Sequence, residues 1–429
     1  MKIQSIDLLN YRAFEKLHIT FPETNVAVFV GENGKGKSSV LDAIAVLLSQ
    51  LVVAFHDGFS IKTNSKEIPE LLDTDIRLNQ DTTKLSINVT DNNKQYDWKI
   101  SRYRFLGTKL GDDANTPTYK LFTLGRKCPV LAYYNTNRKY SKDETTFTES
   151  VSMYLFSLAL LYRNALKSHI TAFDDFVNWF RLQEDRENEQ IRREKNFDLL
   201  NPELEAVRNT FEHFFKHLHN ADYSKLRIER DSLGQGGFRS SQLMVTKDGL
   251  DFEVAQLSDG EKVLMLMVCD IARRLAIANE HSKGTSLNDG IVLIDEIELH
   301  LHPRWQRQII PALRNTFPNI QFIITTHSPQ VLSEIKQNEL FILADNQVYQ
   351  PSTNPIGRDT NAILEEIMGT SKRPQVIEDL SEQYFSFINQ QLWADAENTK
   401  RQLLAILDAT DPIFARAEAL ISRKKMLTR

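Results

Sequence analysis

The sequence predicts an α/β protein whose core is a mixed, largely parallel sheet, joined by an antiparallel β meander, a helical arm and a C-terminal helical region. Three observations predict it. The apolar run "VAVFV" at 26–30 enters a glycine-rich loop and then an apolar helical stretch, which reads as a buried strand, a loop and a helix. Residues 84–105 alternate polar and apolar on both sides of an asparagine-containing turn, the pattern of an antiparallel hairpin. From residue 258 onward helix and strand alternate, as parallel strands joined by crossover helices require.

Taken in order, residues 2–30 give three short strands, and "KSSVLDAIAVLLSQLVVAF" gives the helix after the loop. The 84–105 hairpin follows, then a strand around "PVLAYYN". Residues 148–218 turn helical and charged. "FRLQEDRENEQIRREKN" interleaves both signs, so a solvated helical arm is expected there and not a nucleic-acid patch. A second hairpin, "LMVTKDGLDFEVAQL", turns at Asp248-Gly249. Beyond it come a helix through "IARRLAIAN", the strand "GIVLIDE", a helix opening at Pro303, the strand "IQFIITT" and a short hairpin near 340–350. Residues 360–429 read as several amphipathic helices ending in the basic "SRKKMLTR".

Composition excludes some functions. A chain of 429 residues, 41% hydrophobic, can bury two cores. Its net charge of −5 argues against a polycation that coats nucleic acid. Two cysteines, Cys128 and Cys269, lie far apart, which suits a reducing compartment and gives neither a disulfide framework nor a zinc knuckle. The start alternates polar and apolar, and apolar stretches such as "YLFSLALLY" are too short for a bilayer, so a cytoplasmic protein with no membrane contact is expected.

Three motifs carry chemistry. "GENGKGKS", Gly31 to Ser38, fits G-x-x-x-x-G-K-[ST] between a buried strand and a helix N-terminus, where backbone N–H groups and the helix dipole favour phosphate. Gly31, Asn33, Gly34, Lys35, Gly36, Lys37, Ser38 and Ser39 are therefore candidate nucleotide-binding residues, with Lys37 for the β- and γ-phosphates and Ser38 for Mg²⁺. "IVLIDE" delivers Asp295 and Glu296 to a strand's C-terminal end, Asp295 as a metal ligand and Glu296 as the base for an attacking water. "FIITTHSPQ" ends a second buried strand at His327, placed to hydrogen-bond a γ-phosphate.

The ordered set "NYRAF", "GENGKGKS", "LSDGE", "IVLIDEIELHLHP" and "TTHSP" resembles the ABC-type ATPases of the SMC/RecF branch across about residues 1–350. The resemblance implies ATP and Mg²⁺ as ligands. It also implies that Leu257–Glu261 is the signature sequence, whose Ser258 hydroxyl and Gly260 backbone cap the γ-phosphate of a nucleotide held by a second, head-to-tail copy. Arg12 matches a position that approaches the nucleotide. A glutamine that touches Mg²⁺ is expected between the first helix and the arm, with Gln80 one candidate. Asp259 and Glu261 depart from the common LSGGQ pattern, and two carboxylates beside a triphosphate weaken closure unless they point outward. "HLHP" reads as the loop crossing between subunits rather than as a metal-binding H-x-H. The implied organisation is an ATPase lobe at 1–147 with the phosphate loop, an arm insertion at 148–220, a second ATPase lobe at 221–350 and a helical region at 351–429 for oligomer or partner contact.

Only about 220 residues separate loop from signature, too few for a long coiled coil, and about a hundred helical residues follow His327, leaving no room for a TOPRIM nuclease domain. No H-N-H, PD-(D/E)XK or HD pattern occurs, so the chain is not expected to cut nucleic acid itself. Finer texture, "LAYYNTNR", the loops around "DEIELHLHPRWQRQ" and the tail "DTNAILEEIMGTSKRP", is similar to the ATPase subunit of Septu-type antiphage defence, the PtuA family. That resemblance implies self-assembly from head-to-tail dimers and control of a separate HNH nuclease, PtuB-like. DNA, or a retron's reverse transcriptase with its msDNA, are the further partners it admits. The competing expectation is a RecF-like DNA-binding repair ATPase.

Overall fold

The structure, a computed structural model, describes residues 1–58, 68–91, 93–110, 128–136, 160–167, 171–218, 222–230, 241–280, 289–371 and 373–427. It divides into two compact units, Met1–Asp359 and Thr360–Arg429.

The first unit is built on the expected α/β core. Strands β3 (Val26–Val30), β7 (Val130–Tyr134), β11 (Gly290–Ile294), β12 (Ile320–Thr325), β13 (Leu340–Ala344) and β14 (Gln347–Tyr349) form one sheet in the order β14-β13-β3-β12-β11-β7. All pairs are parallel except the edge pair β13–β14. Strands β3, β7, β11 and β12 are buried along their whole length, as largely apolar runs covered on both faces must be. Helix α1 (Lys37–Gly58) follows β3, α5 (Pro303–Thr316) links β11 to β12, and the single turn α6 (Pro329–Leu332) follows β12.

A second sheet carries the meander: β1 (Lys2–Tyr11), β2 (Phe14–Thr20), β4 (Thr82–Asp91), β5 (Lys94–Tyr103) and β6 (Gly107–Leu110), in the order β2-β1-β4-β5-β6 and antiparallel throughout. Its alternation is one-sided, with Leu85, Ile87 and Val89 buried. Trp98 on β5 donates its ring N–H to the Leu47 carbonyl of α1 at 2.9 Å, which seats the meander on the helix that follows the glycine-rich loop. A third sheet, β10-β9-β8, holds β8 (Tyr223–Arg230), β9 (Ser241–Lys247) and β10 (Leu250–Glu253), with the expected turn at Asp248-Gly249.

Two expectations need correction. The long charged stretch is not simply solvated. Helices α2 (Thr171–Glu194) and α3 (Pro202–His217) pair, and Glu184 and Glu187, 6% and 7% exposed, turn inward onto Arg208 and Arg230. Their i,i+3 spacing places both on one face, where Glu184 also accepts the Ile228 N–H at 3.1 Å. Interleaved charge reads as solvated only until a partner element supplies the opposite sign. The expected start of the arm, before residue 160, lies outside the described residues. The second correction concerns α1: its segment Lys37–His56 is long and apolar enough to cross a membrane. It is a core helix, with Val40, Leu41, Ala43, Ile44, Leu47, Leu48 and Leu51 all buried in the protein.

The second unit comprises α7 (Thr360–Glu366), α8 (Gln375–Asn389), α9 (Trp393–Leu404) and α10 (Pro412–Leu427) around a small core of Tyr384, Ile388, Ala396, Leu403, Phe414 and Ala417. Arg373 clamps Asp411 through two nitrogens at 3.0 and 2.9 Å, closing the entry to α8 against the entry to α10. Cys128 and Cys269 are both buried free thiols of the first unit.

Candidate functional site

The site is set by strand order. Because β3, β12 and β11 are neighbours and parallel, the segments leaving their C-terminal ends emerge side by side. These segments are the glycine-rich loop, Thr325–His327 and Asp295–Glu296. The C-terminal edge of a parallel sheet is where such folds bind ligands.

In the loop, Gly34 and Gly36 have φ of +80° and +95°, which L side chains avoid, and a Cβ on Gly36 would strike the Phe14 ring. Glu32, Asn33, Gly34 and Ser38 are exposed, whereas Lys35 and Ser39 are half-buried. Lys37 is 6% exposed and its Nζ donates to the carbonyls of Gly31 at 2.8 Å and Glu32 at 2.9 Å. Burial lowers the Lys37 pKa, and the charges of Asp295, Glu296 and Glu298 oppose that shift. The first turn of α1 carries no acidic side chain, so nothing there competes with an anion for the helix dipole.

Arg12 occupies the two-residue turn between β1 and β2, in the left-handed region with φ 49°. Its guanidinium donates to Asp75 at 2.9 Å, Asp42 at 2.6 Å and Ser39 at 3.3 Å. The fork therefore ties the meander to the second turn of α1, beside the loop. Gln80, exposed on the meander, accepts from Asn10 at 3.3 Å.

Asp295 and Glu296 share one organiser. The Thr325 hydroxyl donates to Asp295 Oδ1 at 2.5 Å and accepts the Glu296 N–H at 2.7 Å, so β12, which ends two residues before His327, also orients both acids. Asp295 is 4% exposed. Glu296 has φ 46°, an uncommon conformation for a non-glycine residue and one that clusters at functional sites. His327 is half-buried, and its backbone N–H donates to Glu298, which also accepts the Thr326 hydroxyl at 2.7 Å. Sequence reasoning missed Thr325, Thr326, Glu298 and Asp42. The acid two residues past Glu296 and the threonine pair before His327 were visible signals, but their pairing across two strands was not.

Ser258 and Gly260 form a second cluster at the start of α4 (Asp259–Glu280). Ser258 donates its hydroxyl to Glu261 at 2.6 Å and its N–H to the same carboxylate at 2.9 Å, while the Glu261 N–H returns to the Ser258 hydroxyl at 3.4 Å. This is a capping box, and its S-x-x-E pattern was legible in "SDGE". Lys247 donates to Glu261 at 2.5 Å and Tyr223 joins it. Burial pushes the Glu261 carboxyl upward, but hydrogen bonds from Lys247, Ser258 and Tyr223 outweigh it and hold the pKa down to about 2. Asp259 is fully exposed and pairs with Lys262 at 2.9 Å. Neither carboxylate is left uncompensated. A Cβ on Gly260 would meet the His300 carbonyl, so only glycine lets the turn at 257–261 rest on the loop after the acids. His302, the other histidine of that loop, caps α5 by accepting the Arg304 N–H at 3.3 Å.

Glu261→Gln is expected to lower the melting temperature at pH 7, losing about 1–2 kcal/mol of cap and charge-assisted hydrogen bonding. A carboxyl held near 2 in the fold and near 4.5 when unfolded stabilises above about pH 4.5 and ceases to as pH falls toward 2. The gap between wild type and variant should therefore narrow across that window in a pH series of thermal melts. A constant gap would refute the assignment.

Residues 26–333 match the family described as AAA domain, putative AbiEii toxin, Type IV TA system. The chain is 28% identical to the retron Vc95 probable ATPase of Vibrio cholerae serotype O1 biovar El Tor, over 88% of this chain and 80% of that protein. It is 25% identical to the Septu protein PtuA of Bacillus mycoides, over 80% of this chain but 41% of that one. Among solved structures, the SMC head domain from Thermotoga maritima is a looser likeness, 13% identical with a TM-score of 0.42, covering 82% of this chain and 100% of its own. The match over 26–333 shows that the chain belongs to the AAA-domain family so described.

Proposed function

We propose that this chain is the ATP-binding and ATP-hydrolysing scaffold of an antiphage defence complex, that it pairs head to tail around ATP, and that it governs a separate HNH nuclease. One observation carries the ATPase reading: the adjacency of β3, β12 and β11 brings Lys37, His327 and the Asp295–Glu296 pair to one end of one sheet. A buried amine, a buried carboxylate and an exposed hydroxyl at Ser38 are the donor set that a metal–triphosphate needs.

Lys37 and the N–H groups of Gly31–Ser39 would hold the phosphates, with Arg12 braced beside them. Ser38 and Asp295 would hold Mg²⁺, which when bound neutralises charge on the transferred phosphoryl group. Glu296 takes the proton of the attacking water, and His327 hydrogen-bonds the γ-phosphate and so registers its presence. Ser258 and Gly260 address the nucleotide of a second copy. The compensation of Asp259 by Lys262 and of Glu261 by Lys247 removes the repulsion that these carboxylates would otherwise bring to that interface. ATP then holds the paired state and its loss releases it, which is how a nucleotide can gate an attached enzyme.

The retron and Septu relatives support the defence setting. For the helices of 360–429, a separate unit outside the ATPase core, we propose the oligomer or nuclease contact. Tagged full-length protein, purified with and without ATP, is expected to bring a small HNH protein in a defined complex, together with a reverse transcriptase and msDNA if the system is a retron. Ser258→Arg should still bind ATP but fail to pair by light scattering. Recovery of DNA alone, with a steep salt dependence, would replace this reading with a RecF-like repair ATPase.

A further inference from the structure

Strand β7 is one of the two end strands of the central sheet among the described residues, with Tyr133 opposite Leu293 and Tyr134 opposite Ile294 of β11. Successive side chains on a strand point to opposite faces, so these two tyrosines reach different helices. The Tyr133 hydroxyl donates to Asp42 on α1 at 2.8 Å, the carboxylate that also receives Arg12. The Tyr134 hydroxyl donates to Asp270 on α4 at 2.7 Å. Between them, the Tyr134 carbonyl accepts the Asp295 N–H at 2.8 Å. One dipeptide thus touches the helix after the phosphate loop, the acid at the end of β11 and the helix that begins in the signature turn.

The α4 end of this link is fully buried and ionic. Asp270 accepts from Arg273 at 2.6 and 3.1 Å and from Arg274 at 2.9 Å, and Arg274 continues to the carbonyls of Leu161 and Arg163. All three side chains are 0–1% exposed, and Arg273 Nη1 has no partner among the described residues. Apolar side chains would pack the same space without desolvating three charges. What the cluster adds is direction: the bonds that leave α4, from Tyr134 to Asp270 and from Arg274 to the Leu161 and Arg163 carbonyls, restrict its rotation and height, where apolar contact tolerates several. Asp270 lies ~16 Å along the helix from Asp259, so ~5° of tilt about it moves the signature turn by ~1.4 Å. Errors of ~1 Å in a positioning element can cost ~100-fold.

We propose that Tyr133 and Tyr134 are positioning residues that hold the signature helix at a fixed pitch relative to the phosphate loop and Asp295, so that a subunit offers its signature turn to a partner copy in register with its own site. The proposal rests on the head-to-tail reading above. Its test uses the full chain carrying Glu296→Gln, so that bound ATP persists. ATP affinity of the dilute single subunit is measured with a fluorescent ATP analogue, and the ATP concentration for half-maximal pairing by light scattering. Tyr134→Phe should leave the first within about twofold and raise the second about tenfold, the scale of one lost hydrogen bond to a charged group. Tyr133→Phe should weaken the first about threefold and the second only in proportion.

Tyr162→Phe is the structural control, because Tyr162 is an equally buried tyrosine that donates to the Pro129 carbonyl at 2.8 Å and contacts neither helix through its hydroxyl. It should cost thermal stability without changing the pairing threshold. Equal losses in both measurements for Tyr134→Phe, no loss in pairing, or a pairing loss matched by Tyr162→Phe would overturn the proposal. If Ser258→Arg still pairs, the head-to-tail reading fails and this inference falls with it. If Ser258→Arg blocks pairing while Tyr134→Phe does not, only the inference fails.

Discussion

Glu296→Gln is expected to keep ATP binding within about twofold of wild type while lowering turnover by ~100-fold or more, the usual contribution of a positioned general base. The geometry motivates the split. The Glu296 backbone is held in a left-handed conformation by the Thr325 hydroxyl, and a glutamine of the same shape keeps that bond. Only the ability to accept a proton is lost. Phosphate release and equilibrium ATP binding, measured on the same preparation, check both halves. Turnover equal to wild type would remove Glu296 from the role of base and leave the neighbouring Glu298, bonded to Thr326 and His327, to be tested in its place.

Lys37→Ala should abolish measurable ATP binding, a loss of about 100-fold or more. A buried ammonium contributes charge-assisted hydrogen bonds to the phosphates that no neighbour replaces. In the free chain its amine rests on the Gly31 and Glu32 carbonyls, so its removal also unpairs two acceptors within the loop. Two consequences separate the roles of Lys37 and Glu296. Lys37→Ala should lose ATP-dependent pairing together with binding, while Glu296→Gln should accumulate the paired state. Calorimetric binding by Lys37→Ala close to wild type would show that the loop's backbone alone suffices.

Much of the fold was readable because it rests on short-range pattern. Largely apolar runs at 26–30, 290–294 and 320–325 announced strands buried on both faces, and alternation at 84–105 announced a half-exposed meander. The charged arm misled because periodicity reports that Glu184 and Glu187 share a face but not what that face meets. The apolar length of α1 misled for a related reason: its segment Lys37–His56 is long enough for a bilayer, against the expectation that no apolar stretch is. Composition cannot distinguish a helix wrapped by protein from one wrapped by lipid, and only the packing of Leu41, Ile44 and Leu48 decides it.

By itself the sequence determined which residues are candidates for a triphosphate site: the spacing of Gly31, Gly36, Lys37 and Ser38, and the acids Asp295 and Glu296 at the end of an apolar run, carry their chemistry in residue type and local order. Tertiary structure alone decided how those groups are oriented and what compensates them. Thr325 lies thirty residues from Asp295, Arg12 meets Asp42 and Asp75, Glu261 meets Lys247, and Tyr134 meets Asp270 more than a hundred residues away. The physical reason is that local order is written in backbone sterics and side-chain period. The partners of a buried charge are set by which strands become neighbours, and no window along the chain contains that information.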